Sequence, residues 1–212
     1  MAQPVKSKLW DIRRFWQDLA RITCAPLIPY FHLKKQTPDG QPLKERLQGG
    51  AILVANHSSM KDPLAVATAF WYRRVFFLTA KEVMDNPVKN LLLTGVGCVR
   101  IDRESADLEA IKRSVDILKA GRVLLIFPQG GIRNGQVDTI KSGAVLMALQ
   151  AGVPIIPVHL GKRKAWYKAR PVIVGNAVDP TEICQKKMPS VKDIEAITAR
   201  LLEEMTRCQA VT

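Results

Sequence analysis

Short apolar runs alternating with helix-spaced segments constrain this chain more than any other feature. AILVA (51–55), VFFLT (75–79), TGVGCVRIDRES (94–105), RVLLIFPQGG (122–131), VPIIPVHL (153–160) and ARPVIVGNAVDP (169–180) each read as a strand leading into a turn. Between them, PLAVATAFWY (63–72), the stretch after Lys81, ADLEAIKRSVDILKA (106–120), KSGAVLMALQAG (141–152) and VKDIEAITARLLEEMTRC (191–208) read as helices. In the 106–120 segment Leu108, Ile111, Val115 and Leu118 fall on one helical face, and Gly121 supplies a stop. Strands separated by helices favour a mainly parallel sheet with helices on its faces, an α/β fold. With 212 residues and no internal repeat, one domain accounts for the chain.

The chemistry is expected where the first of these strands ends. Open α/β sheets place their sites at the C-terminal ends of strands, and AILVA delivers Asn56 and His57 there. Ser58 or Ser59 is placed to cap a following helix, in which Pro63 suits an early position. His57 and Asp62 lie five residues apart across the turn. If the backbone folds back, the carboxylate accepts a hydrogen bond from one imidazole nitrogen and leaves the other free as a base. A lone His-x4-Asp spacing also has common structural uses, so this pair needs support from the rest of the chain.

Charge narrows the partners. The 32 basic and 19 acidic residues leave a net charge of +13, which calls for an anionic partner: nucleic acid, an anionic membrane or a phosphorylated small molecule. No familiar nucleic-acid module can be read, and no nucleic acid is expected. Cys24, Cys98, Cys184 and Cys208 are scattered, without a CxxC pair. With His32, His57 and His159 they give no zinc spacing, so neither a metal site nor a disulfide framework is expected. Residues 7–25 form an amphipathic helix with Leu9, Ile12, Phe15, Trp16, Leu19 and Ile22 on one side. Arg13, Arg14, Gln17, Asp18 and Arg21 occupy the other side, and CAPLIPYFHLKK follows. The pattern suits an interfacial membrane helix, or a terminal helix packed on the domain. We take residues 1–35 as a membrane-docking segment and 36–212 as the catalytic domain, with a hairpin or loop at 36–50. No apolar run approaches the roughly 20 residues of a spanning helix, so a cytoplasmic, peripheral location on the inner face of the cytoplasmic membrane is expected.

Three further turns are candidates to converge on His57. One carries Arg103 after Ile101 and Asp102. In the second, Phe127 and Pro128 end a strand, Gly130 and Gly131 allow close backbone approach to a ligand, and Arg133 is placed to clamp an anion. Either arginine could equally be a solvated surface residue. The third is VPIIPV, whose prolines suit a wall or sheet edge.

The order of these blocks carries a resemblance. NHSSMKD, GCVRIDR, FPQGG and VPIIPV resemble the four ordered blocks of the glycerolipid acyltransferase family, which includes the lysophosphatidate acyltransferases. Asn56, His57, Ser59, Asp62, Lys81, Gly97, Arg103, Lys141, Gly143 and Ala144 match, and the likeness runs from about Val54 to Gly175. It implies a glycerol-3-phosphate acyltransferase-like fold, with His57 as general base and Asp62 as its orienting partner. It further implies that an acceptor hydroxyl attacks the thioester of acyl-CoA or acyl-carrier protein as co-substrate, with no bound cofactor. Asn56, Ser59, Lys81, Arg100, Arg103, Phe127, Pro128, Gln129, Gly130, Gly131 and Arg133 would contact substrate, Arg103 holding the acceptor phosphate and VPIIPV lining an acyl-chain wall.

The third block departs from the usual FPEGTR. Gln129 replaces the glutamate, Gly131 the threonine, and Ile132 stands at the arginine position, with Arg133 one place later. Gln129 keeps shape and hydrogen bonding but loses the charge, which bears on acceptor identity more than on the reaction. Arg100 also stands where the family has an apolar residue. The implied activity is acyl transfer to lysophosphatidate, giving phosphatidate. The same chemistry on another lyso-lipid, such as an amino-acid-derived one, and a non-catalytic lipid-binding protein of this fold are the alternatives.

Overall fold

The computed structural model describes residues 18, 19, 22, 32–102, 107–129, 137, 139–163, 168–184 and 189–211. Their elements are β1 (Leu33–Gln36), β2 (Ala51–Ala55), α1 (Asp62–Ala69), β3 (Val75–Ala80), a 3-10 turn (Lys81–Met84) and α2 (Pro87–Gly95). There follow β4 (Cys98–Ile101), α3 (Leu108–Lys119), β5 (Val123–Ile126), α4 (Gly143–Ala151), β6 (Ile155–Leu160), β7 (Arg170–Val174), α5 (Pro180–Ile183) and α6 (Val191–Gln209). The strands make one sheet in the order β1-β7-β6-β2-β5-β3-β4. From β6 to β4 every pairing is parallel, while β7 runs antiparallel to β6 and carries β1 parallel to itself. The sheet is thus a five-stranded parallel block with a reversed two-stranded flank.

The alternation of side chains along the strands fills two cores. Ile52, Val54, Phe76, Leu124, Ile126 and Ile155 face one side, against Val115 and Leu118 of α3, Val145 and Ala148 of α4, and Ile197 and Leu201 of α6. Leu53, Ala55, Leu125, Val158 and Val172 face the other, against Ala65, Val66 and Ala69 of α1. All five residues of β2 are buried, as expected of a strand covered on both faces. Local signals fix the helix starts: Asn86, Asp107 and Ser190 cap α2, α3 and α6, the last through a reciprocal Ser190–Asp193 box. Gly50, just before β2, is packed so closely that a Cβ would lie 2.3 Å from the Leu118 carbonyl oxygen.

Four expectations are corrected. The domain boundary expected at residue 35 falls inside β1, which pairs with β7 from Leu33 onward. VPIIPV does not form an edge: β6 lies between β2 and β7. Pro157 is tolerated there because it sits one residue outside the β6–β7 ladder of Val158–Leu160 against Val172–Val174. Neither Ser58 nor Ser59 caps α1, whose N-cap is Lys61 with no side-chain cap bond. The 7–25 helix lies largely outside the described residues, but Asp18, Leu19 and Ile22 are helical. Asp18, assigned by pattern to the solvent face, is buried and takes two hydrogen bonds from Arg74, whereas Leu19 and Ile22 of the apolar face are exposed. The loop expected at 36–50 opens as a tight turn, with Gly40 N–H donating to Thr37 O at 2.9 Å and a bridge between Gln36 and Pro42.

Candidate active site

β2 ends in the middle of the sheet, and its last residues are pinned before the chain turns. The Asn56 carboxamide closes on the backbone of Leu160 at the end of β6, donating to its oxygen at 3.1 Å and accepting from its N–H at 2.7 Å. Asn56, one of the residues expected to contact substrate, is buried and holds two strand ends together. The next residue, His57, is then set against the end of β5, where its ring stacks on Phe127 with centroids 4.2 Å apart and planes 22° apart.

The chain turns through Ser58 and Ser59 so that Asp62, the first residue of α1, points back at the turn. Its Oδ2 accepts from the backbone N–H groups of Ser58 and Ser59 at 2.7 and 2.6 Å, and His57 Nδ1 lies 3.4 Å away. A carboxylate in the first helical turn also meets the positive end of the helix dipole. Asp62 is fully buried, and its Oδ1 accepts from Arg170 at 3.0 Å. Burial alone would raise its pKa; the bonds with His57, Ser58 and Ser59 and the nearby guanidinium outweigh that and hold it at about 2. Asp62 is therefore ionised at neutral pH, next to a histidine with Nδ1 toward it. Such a pair can orient an imidazole and leave Nε2 to take a proton.

The remaining site residues fall along the same edge of the sheet. Lys81, at the end of β3, is salt-bridged to Asp102 at the end of β4 (2.6 Å). Ser59 contributes its backbone N–H to Asp62, while its hydroxyl accepts from Lys61 N at 3.3 Å. Pro128 is buried, and Gln129 carries a buried Oε1 that has no hydrogen-bond partner among the described residues. Arg100 is not brought in. It lies on the edge strand β4, half exposed, with Asp85 3.9 Å away. At ~4.8 Å per strand, three strand spacings put β4 about 14 Å from β2. Arg103, Gly130, Gly131 and Arg133 lie outside the described residues.

Two residues that the sequence pattern passed over belong here. Arg170, the first residue of β7, reaches the edge where β2 ends because β7 runs antiparallel to β6. His159, on β6, is buried with Nδ1 unpartnered among the described residues. Burial, and then the charge of Arg170, lower its pKa to about 4, so it is neutral at physiological pH. Neither carries a local motif; each is recognisable only once the strand order is known.

Residues 31–161 match the family model described as Acyltransferase. The chain belongs to the acyltransferase family. It is 31% identical over 164 residues to a 1-acyl-sn-glycerol-3-phosphate acyltransferase of Streptococcus pneumoniae, covering 76% of this chain and 61% of that protein. It is 36% identical over 131 residues to a lyso-ornithine lipid O-acyltransferase of Pseudomonas aeruginosa, covering 58% of this chain and 49% of that protein. In fold it resembles the crystal structure of the 1-acyl-sn-glycerophosphate acyltransferase PlsC from Thermotoga maritima. That likeness has a TM-score of 0.52 and 21% identity, and it covers 92% of this chain and 86% of the other. The chain spans 61%, 52% and 53% of the lengths of three curated relatives from S. pneumoniae, Limnanthes douglasii and Mycoplasma pneumoniae.

Proposed function

We propose that this protein moves a fatty acyl group from an acyl-CoA or acyl-carrier protein thioester to the free hydroxyl of lysophosphatidate, giving phosphatidate. The observation that carries the reading is the contact of His57 Nδ1 with a buried, ionised Asp62. His57 Nε2 takes the proton from the acceptor hydroxyl as its oxygen attacks the thioester carbonyl. The new C–O bond forms, the C–S bond breaks, and the carrier leaves as a thiolate that is then protonated. Lys81 and Arg103 follow the two neighbouring strand ends and supply cations for the acceptor phosphate. The segment that precedes β1 docks on an anionic bilayer, a reading that the exposed Leu19 and Ile22 and the charge of +13 support. Among the described residues, no helix is long and apolar enough to cross a membrane.

A second acceptor class has its own support. The Oε1 of Gln129, without a partner among the described residues, is a neutral acceptor where the family places a carboxylate, and it suits a headgroup that offers an N–H or O–H donor. Amino-acid-derived lyso-lipids have such headgroups. The test is thiol release from a panel of acyl-CoAs and acyl-carrier protein in mixed micelles. Lysophosphatidate and a lyso-ornithine lipid serve as acceptors, with wild type compared to His57→Ala. Release that requires lysophosphatidate and is lost in the variant is the expected result. Release with the amino lipid alone moves the assignment to the second class. Release that survives His57→Ala, or none with any acceptor, overturns the mechanism.

A further inference from the structure

We propose that Arg170 is a positioning residue of the site: it fixes the Asp62 carboxylate in orientation and charge, so that His57 always faces an ionised partner. This rests on the acyltransferase reading above and assigns a part to a residue outside the four sequence blocks. A general base must be neutral before it acts, and during that time Asp62 is a fully buried carboxylate beside an uncharged ring. An isolated buried charge of that kind is strongly unfavourable. Arg170, its side chain 16% exposed, supplies the missing countercharge at 3.0 Å from Oδ1.

The guanidinium is itself held in place. Its Nε donates to the Gly161 carbonyl at 2.8 Å, just past the end of β6, and its backbone N–H donates to His32 O at 2.6 Å, just before β1. Arg170 therefore ties the reversed flank of the sheet to the first turn of α1. With Oδ2 taken by the Ser58 and Ser59 N–H groups and Oδ1 by Arg170, the carboxylate is held at both oxygens and cannot swing away from the imidazole. Among the described residues, the titratable groups acting on Asp62 are His57 and Arg170. His159 on β6 is a neutral neighbour of Arg170, and β5 contributes the uncharged Phe127 ring. Lys35 of β1 lies at the other end of α1, 5.9 Å from the Phe70 ring centre.

Two substitutions separate charge from geometry. Arg170→Gln removes a cation that favours the charged form of Asp62. The NMR titration of the Asp62 carboxyl should move up by about one pH unit, and kcat should fall several-fold at unchanged KM. Arg170→Lys keeps the charge but loses the fork. Its Asp62 titration should stay within about 0.3 unit of wild type while kcat falls several-fold at unchanged KM. An Asp62 titration unmoved in Arg170→Gln overturns the proposal, and so does a wild-type kcat in Arg170→Lys; the second result decides alone if the Gln variant does not fold. His57→Ala is assayed in parallel. Activity that survives it sinks the acyltransferase mechanism, whereas its loss beside unmoved Arg170 variants sinks only the part assigned to Arg170.

Discussion

Replacing Asp62 with asparagine tests the site and the fold together. The isostere has one acceptor oxygen and one donor NH2 in place of two acceptors. With the oxygen at the Oδ2 position, the bonds from Ser58 and Ser59 N–H survive, but NH2 then faces the Arg170 guanidinium, donor against donor. With the amide reversed, two backbone N–H groups lose their acceptor. The first arrangement is the cheaper, and it leaves a mostly buried arginine unpaired. Breaking one side of a buried ion pair costs about 3–5 kcal/mol; the partial exposure of Arg170 brings the expected loss to about 2–3 kcal/mol near neutral pH. The pKa gives an independent figure. A fall from 3.8 to about 2 in the folded state corresponds to roughly 2 kcal/mol.

Because the folded-state pKa is depressed, this stabilisation is fully present above pH 4 and is lost as pH falls toward 2. Urea unfolding of wild type and Asp62→Asn should therefore differ by about 2–3 kcal/mol at pH 7 and converge as pH is lowered toward 2. Acyl transfer by the variant should fall by about 10²–10⁴, the usual contribution of a positioned general base. A variant within about 0.5 kcal/mol of wild type at pH 7 would show that the carboxylate is not held as described. Undiminished turnover would remove Asp62 from the mechanism.

Two structural predictions probe the frame that carries the site. Gly50→Ala drives a Cβ to 2.3 Å from the Leu118 carbonyl oxygen; since backbone must shift, urea unfolding should show a loss of about 2–4 kcal/mol. A loss under about 1 kcal/mol would mean the approach of β2 to α3 is looser than it is drawn. Asn56→Ala leaves both polar groups of the buried Leu160 backbone without their side-chain partner, at a cost of about 2–4 kcal/mol. Since Asn56 positions His57, kcat should fall with acceptor KM changed less than about threefold; a rise in KM at unchanged kcat would return Asn56 to the substrate-binding residues.

The five parallel strands were legible in the sequence because each is a buried apolar run followed by a helix with its own period. The contact between His57 and Asp62 was legible for a different reason. His57 and Asp62 are five residues apart, so one turn and one helix start bring them together whatever the rest of the chain does. Arg170 lies 108 positions from Asp62, and no local pattern encodes that contact. Sequence spacing also misjudged Asp18, which looks solvent-facing on a helical wheel but meets Arg74.

Arg170 was missed because the sheet's lateral order is not written in the runs that form its strands. β7 reads like any other apolar strand, and its direction follows from its antiparallel pairing with β6, centred on Val172–Val174. Had it run parallel, Arg170 would lie at the opposite edge of the sheet and Asp62 would be a buried charge with only a neutral imidazole and two amides around it. The reversal is therefore a requirement of the site as much as of the fold. It brings a fixed cation to the one carboxylate that β2 and α1 bury together.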